Sequence, residues 1–309
     1  MKNPKIIKLD ESVDLWLSYS WGNTKQGICG HLFEVIEYYY ILKNHFKTKI
    51  LINEIIPQED IKILLESKYN FDIVEIEDIL NNMVFNDNPT VLKGKNILIT
   101  DGNFKTLKSK FLYFDKIIMF PCSDLTYYNL NNVYPLQDDR IYKKHINSYN
   151  YIKKILFKKF KPLISNNTNL MMYITKNVRE LSIDELNDIS SKYKHYNSKI
   201  SLVTNVDYEE SELLNINILK MPVENLMNKF GTYIYSPIHR KRDCSPRFLV
   251  ECKFYGKDVI FHNIDYWEED LGLKWRVYDI EHNFESLFLD EDDEIINLIN
   301  DIIYNDKLK

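Results

Sequence analysis

The chain has 309 residues, 45% of them apolar and 14% aromatic; this is enough to bury a sizeable core, and the length suggests roughly two domains of about 150 residues or one large α/β domain. The 40 Lys and Arg against 45 Asp and Glu leave a net charge of −5, which excludes a globally basic nucleic-acid or anionic-membrane binder while leaving a local basic patch open. No run approaches the roughly 18 apolar residues of a membrane span, the opening MKNPKIIKLDESVD lacks the apolar centre of a signal peptide, and Cys29, Cys122, Cys244 and Cys252 form no C-x-x-C, so a cytoplasmic protein with reduced thiols is expected.

In chain order, short apolar runs predict strands at Leu15–Ser20, Lys49–Ile52, Phe71–Ile76, Asn96–Thr100 and Lys116–Phe120. Between them, apolar residues recurring every three or four positions predict helices at Gly30–Phe46 and Gln58–Lys68. The stretch Tyr142–Phe160, YKKHINSYNYIKKILFKKF, interleaves lysines with aromatics and reads as a Lys-rich amphipathic helix, an ordinary surface element or a receiver of a phosphorylated, lipid-linked or nucleic-acid acceptor. The periodicity breaks in KKFKPLISNNTN, residues 158–169, around Pro162, placing a domain boundary at residue 160.

The second half predicts strands at Leu170–Thr175, Lys199–Thr204, Ile216–Lys220, Thr232–Ser236 and Asp258–His262, with helices at Ser182–Lys192, Val223–Phe230 and Pro246–Tyr255. An amphipathic helix is expected between Asp290 and Asp306, where Ile295, Ile296, Ile299, Ile302 and Ile303 fall at helical spacing; it closes the second domain or packs back on the first. Alternating strands and helices in both halves give an α/β protein of two Rossmann-like domains, residues 1–160 and 161–309.

The chemistry concentrates in Ile218–Phe261. Ser245 and Pro246 suit the N-cap and first position of a helix, and Gly256 suits its end. The positive end of this helix, with Arg240, Lys241, Arg242 and Arg247 nearby, is suited to an anion such as a diphosphate. Asp243 and Glu251 add two carboxylates that can accept hydrogen bonds from sugar hydroxyls. The bland readings are a solvated basic loop and an exposed mid-helix glutamate; the convergence of these features at one strand-to-helix turn argues for a ligand.

In the first half, Gly27 and Gly30 lie between a strand and a helix, where a chain can approach a ligand closely or simply turn. His31 opens that helix, Asp101 ends the strand Asn96–Thr100, and Asp124 follows the strand Lys116–Phe120; each is a candidate base, and the sequence does not choose among them. His239, His262 and His282 are too scattered for a metal site.

Asp243, seven residues CSPRFLV, Glu251, and then CKFYGKDVIF with Gly256 before an apolar strand resemble the donor-binding half of GT-B glycosyltransferases of the glycogen-synthase-like kind. The likeness covers about 45 residues, with Asp243 where Glu is more usual and with the family's N-terminal Gly-rich loop reduced to Gly27-Ile28-Cys29-Gly30-His31. It implies two Rossmann-like domains facing across a cleft. In that arrangement the N-terminal domain binds the acceptor, the C-terminal domain binds a nucleotide diphosphate sugar as co-substrate, and there is no further cofactor. It implies that Glu251 binds ribose hydroxyls, that Asp243 contacts the transferred sugar, and that Ser245 and Arg247 lie at the diphosphate. The backbone around Met221 and Val223 would face the base. Lys176 and Arg179 occupy the region of the family's cation pair, which neutralises the leaving diphosphate without a metal. Neither Asp290–Asp293 nor Asp138-Asp139 supplies a D-x-D at a strand end.

The expected activity is therefore transfer of a hexose or pentose to a hydroxyl of a glycan, a lipid-linked glycan or modified DNA. The rivals are a phage-type enzyme that glycosylates hydroxymethylated bases and a non-catalytic nucleotide-binding scaffold.

Overall fold

The computed structural model describes residues 6–18, 30–52, 57–85, 91–102, 111, 113–121, 131–144, 147–163, 168–174, 181–196, 199–204, 206–219, 223–236, 246–262 and 271–304. The chain divides into two compact units, Met1–Phe160 with Phe284–Lys309, and Lys161–Asn283.

In the first unit the strands are β1 (Ile6–Lys8), β2 (Leu15–Ser18), β3 (Thr48–Ile52), β4 (Met83–Phe85), β5 (Val91–Gly102), β6 (Tyr113–Pro121), β7 (Val133–Gln137) and β8 (Tyr149–Asn150). They form one sheet in the order β4-β3-β2-β5-β6-β7-β8, with β1 also on β5, and every pairing among them is parallel. Parallel strands need crossovers, and α1 (Gly30–Leu42) supplies the one from β2 to β3. Strand order reverses between β2 and β5, so the chain leaves the sheet in opposite directions at that point. The core of this sheet gathers Trp16, Ile97, Ile99, Ile117 and Met119, all essentially buried; each such side chain removed from water contributes about 1.5–3 kcal/mol.

Between β3 and β4 lie α2 (Gln58–Lys68) and α3 (Ile73–Asn81). The strand expected at Phe71–Ile76 is thus a helix. Asp72 accepts from the Glu75 backbone N–H at 2.8 Å while Glu75 accepts from the Asp72 N–H at 2.9 Å, a capping box that starts the helix and overrides the short apolar run.

The Lys-rich stretch is likewise not a helix. Its described residues from 147 on run extended, with β8 and a single 3₁₀ turn at Phe157–Lys159. Its backbone donors and acceptors are spent on distant partners: Tyr151 N–H on Gln137 at 2.9 Å, Ile155 N–H on Leu287 at 2.9 Å, and Leu289 N–H on Ile155 at 2.9 Å. Lys153 reaches Glu34 of α1, whereas Lys154 reaches Asp293 at the start of α7 (Glu294–Tyr304). That last helix buries Ile295, Ile299 and Ile302, and Lys116 of β6 caps its final carbonyls, donating to Ile302 at 2.7 Å and Ile303 at 2.9 Å.

In the second unit, β9 (Leu170–Ile174), β10 (Ile200–Thr204), β11 (Ile216–Leu219), β12 (Thr232–Tyr235) and β13 (Asp258–Phe261) form an all-parallel sheet in the order β11-β10-β9-β12-β13. Its two faces bury opposite phases of the same strands. Leu170, Met172 and Ile174 pack with Leu186, Ile189 and Tyr193 of α4 (Ile183–Tyr193). Met171 packs with Tyr233 and Tyr235, with Leu249 and Cys252 of α5 (Arg247–Phe254), and with Leu273 and Val277 of α6 (Leu271–His282). Helices therefore cover both faces.

Three local outcomes differ from the sequence-based expectation. The segment Val223–Asn228 is a 3₁₀ helix rather than an α-helix. The N-cap of α5 is Pro246, with no side-chain capping bond, rather than Ser245. The helix α6 had no counterpart in the periodicity. At the other end of α5, Gly256 at φ +63° accommodates a left-handed turn; its N–H bonds Lys253 O at 3.0 Å and the Lys257 N–H bonds Cys252 O at 2.9 Å, a Schellman closure.

Candidate active site

In an open α/β sheet, ligands collect outside the carboxyl ends of the strands where strand order reverses. In the first unit that place is the end of β2 and β5. β5 pairs regularly with β6 as far as Ile99, then shifts register before Gly102. A Cβ at Gly102 would overlap the Met119 side chain, so glycine keeps the strand tight against β6 past the irregularity. Between Ile99 and Gly102 stands Asp101, whose side chain is 1% exposed.

Opposite it, at the first turn of α1, stands His31. Its Nε2 is 3.8 Å from Asp101 Oδ2, and its Nδ1 is 3.1 Å from Glu34 Oε2. The same Glu34 oxygen accepts from Lys153 Nζ at 2.7 Å, and Lys153 lies over the Phe120 ring at 5.4 Å. Glu34 is buried and Lys153 mostly so, whereas His31 keeps 37% of its side chain exposed. Desolvation and Lys153 lower the imidazole pKa, but Asp101 and Glu34 outweigh them and hold it above its usual value. Nδ1 is thus within hydrogen-bonding distance of a group that only accepts, and Nε2 is the ring nitrogen nearer Asp101. At 3.8 Å the two are not hydrogen-bonded to each other, and a hydroxyl oxygen about 2.8 Å from both completes an ordinary triangle.

His31 and Asp101, two separate candidates in the sequence, thus occupy one place. Glu34 and Lys153 belong to the same constellation and were not singled out. His31-x-x-Glu34 is a one-face helical spacing that sequence could have offered; Lys153 was hidden by its misassigned helix.

In the second unit the strand order reverses between β9 and β12. Ser236 follows β12, and its buried hydroxyl has no hydrogen-bond partner among the described residues. In the first turn of α5, Arg247 Nε donates to Glu251 Oε1 at 2.6 Å, and both side chains are about nine-tenths buried. Burial, reinforced by Glu251, pushes the buried Cys252 thiol well above its usual pKa, so it is not a nucleophile. Val223 begins the 3₁₀ turn Val223–Asn228, and Gly30 opens α1. Gly27, Asp124, Lys176, Arg179, Met221, Arg240, Lys241, Arg242, Asp243 and Ser245 lie outside the described residues.

The cationic surface expected of residues 142–160 is largely neutralised: Lys153 pairs with Glu34, Lys154 with Asp293 and Glu294, Lys158 with Glu291, and Lys159 with Glu75. Among the described residues no helix is long and apolar enough to cross a membrane.

Two parallel sheets of Rossmann-like strand order, each with candidate ligand-binding side chains at the edge where that order reverses, define an α/β protein built from the components of the GT-B architecture. No protein-family model and no curated protein sequence matches the chain. Among solved structures it is similar to a lipopolysaccharide outer core galactosyltransferase, WaaB, in its apo form, at 8% identity and a TM-score of 0.40, over 94% of this chain and 98% of that one. It is also similar to a K341M mutant of the O-GlcNAc transferase of Thermobaculum terrenum, at 9% identity and a TM-score of 0.42, over 96% of this chain and 65% of that one. The fold class rests on the two strand orders, not on these likenesses.

Proposed function

We propose that this protein is a metal-independent glycosyltransferase that moves a hexose or pentose from a nucleotide diphosphate sugar to an acceptor hydroxyl. The observation that carries the reading is the placing of His31 and Asp101 at the reversal point of the first sheet, 3.8 Å apart and open on the imidazole side. The donor-binding pattern Asp243 to Glu251 in the second unit supports it.

In this reading the first unit receives the acceptor, a glycan, a lipid-linked glycan or modified DNA. Its hydroxyl hydrogen-bonds to Asp101 and gives its proton to His31 Nε2 as the oxygen forms its bond to the sugar C1. The bond from C1 to the diphosphate oxygen breaks, and its electron pair leaves with the nucleotide diphosphate. The second unit holds the donor. Asp243 contacts the sugar, Glu251 the ribose through lone pairs beyond the one used by Arg247, and Ser245, Arg247, Lys176 and Arg179 the diphosphate. The backbone at Met221 and Val223 faces the base, and Gly27 and Gly30 permit close approach on the acceptor side.

The test is a thermal-shift panel of nucleotide diphosphate sugars, followed by transfer assays with the stabilising donor. A donor at 100 times its dissociation constant adds about 2.7 kcal/mol of stability. Stabilisation by one donor, with product formation lost in His31→Gln and Asp243→Ala, is the expected result. Donor binding without turnover under any acceptor would turn the reading into a nucleotide-binding scaffold. Sugar incorporation into hydroxymethylated duplex, with a gel shift at physiological salt, would make it a DNA-modifying enzyme.

A further inference from the structure

We propose that Glu34 and Lys153 are positioning residues for His31: Lys153 pins the Glu34 carboxylate, which accepts the Nδ1 proton and turns Nε2 toward Asp101 as the proton-accepting atom. This rests on the proposed reading in which His31 takes the acceptor proton, but the state of the ring can be measured apart from any activity.

The geometry is a chain of three contacts through buried and half-buried groups. Lys153 Nζ lies 2.7 Å from Glu34 Oε2, and the same oxygen lies 3.1 Å from His31 Nδ1. On the far side of the ring, Nε2 stands 3.8 Å from Asp101 Oδ2. The four residues come from three elements: Glu34 and His31 share one face of α1 at i,i+3, Asp101 lies near the end of β5, and Lys153 stands on the segment that follows β8. Glu34 is buried beside Lys153, whose ammonium fixes the direction in which its carboxylate points. With Lys153 in place it stays ionised and can only accept, which leaves the imidazole one way to hold its single proton when neutral.

Among the described residues, the charged groups that face the ring are Glu34 on its own helix, Asp101 on β5 and Lys153 on the segment after β8. The two acids favour the imidazolium and the lysine opposes it, so the two proposed residues act on the ring with opposite electrostatic signs while both favour the same tautomer. A packing role alone would not give that combination.

The experiment follows the His31 ring nitrogens by NMR as pH is raised through neutrality, in the full chain labelled with ¹⁵N at histidine and assigned with His31→Gln. In the native protein the neutral ring is expected as the Nδ1–H form. Glu34→Gln is expected to move the titration midpoint down, by about one pH unit, and Lys153→Met to move it up, with both losing part of the Nδ1–H population. The acid limb of the transfer rate should move in the same two directions. A ring whose midpoint and tautomer match the native protein in both variants, each folded by its amide spectrum, overturns the proposal. So does a shift of the same sign in both. Should Glu34→Gln not fold, the sign of the Lys153→Met shift and its tautomer ratio decide alone. A ring that responds as described in a protein that transfers no sugar overturns the activity, and one whose His31→Gln variant still turns over overturns His31 as the base; either leaves the assignment of Glu34 and Lys153 to the ring.

Discussion

The two sheets share a strand order, about β2 in one and β9 in the other, yet their reversal points are chemically unlike. At the first, two acids and a lysine surround an imidazole that remains partly open to water. At the second, a buried arginine and a buried glutamate one helical turn apart satisfy each other. The first arrangement stores a titratable proton where a ligand can reach it. The second closes its charges into a pair, which suits a rigid support for a ligand better than a proton-transfer device. Electrostatics in the first unit should therefore appear in rates and pH profiles, and in the second in stability and donor affinity.

The sharpest break in this contrast comes from removing the imidazole. His31→Gln should lower the transfer rate by about 10²–10⁴-fold, the usual worth of a general base, while donor affinity measured by thermal shift stays near native; equal loss of donor affinity would erase the distinction between the units. Next, Glu251→Ala should destabilise the fold by about 3–5 kcal/mol because it breaks a buried ion pair, and Arg247→Met combined with Glu251→Leu should recover most of that in denaturant melts.

A smaller effect sharpens the first unit. Because the folded-state pKa of His31 is raised, the ring binds its proton more tightly folded than unfolded. Its contribution to stability is full below the unfolded value of about 6.5 and fades as pH rises through the higher folded value. Unfolding free energies across that window should fall with pH in the native protein and flatten in His31→Gln. Smallest is Asp72→Ala, which removes the capping bond of α3 for about 1 kcal/mol and should leave rates and their pH profile untouched.

Much of the fold was legible because buried parallel strands announce themselves as short apolar runs: β2, β3, β5, β6 and β9 to β13 all lie within or beside such runs. The failures have identifiable causes. Phe71–Ile76 looks like a strand only if Asp72 and Glu75 are ignored; read as a capping box, they start a helix that buries Ile76, Ile79 and Leu80. Residues 147–160 look helical because lysines and aromatics recur at suitable spacings, but their hydrogen-bond partners come from β7 and from residues 287–289, which local pattern cannot show. β1 and β4 are only three residues long, too short to register.

The site was legible as residue types but not as an arrangement. His31 and Asp101 each stood at a strand or helix end, and only the parallel register that places β5 beside β2 brings them together. Lys153 could not be found at all, because its position depends on an extended segment mistaken for a helix.

That segment has a consequence for how the molecule is made. Ile155 is held by backbone bonds to Leu287 and Leu289, and Lys154 by Asp293, all encoded after the whole second unit. On the ribosome the intervening unit is complete before these later residues emerge, so these bonds to the segment beside the imidazole form only once those residues have been threaded back onto the first sheet. A nascent chain halted at residue 283 would carry His31, Glu34, Asp101 and Lys153 and still lack the outer bonds to the segment that bears the lysine.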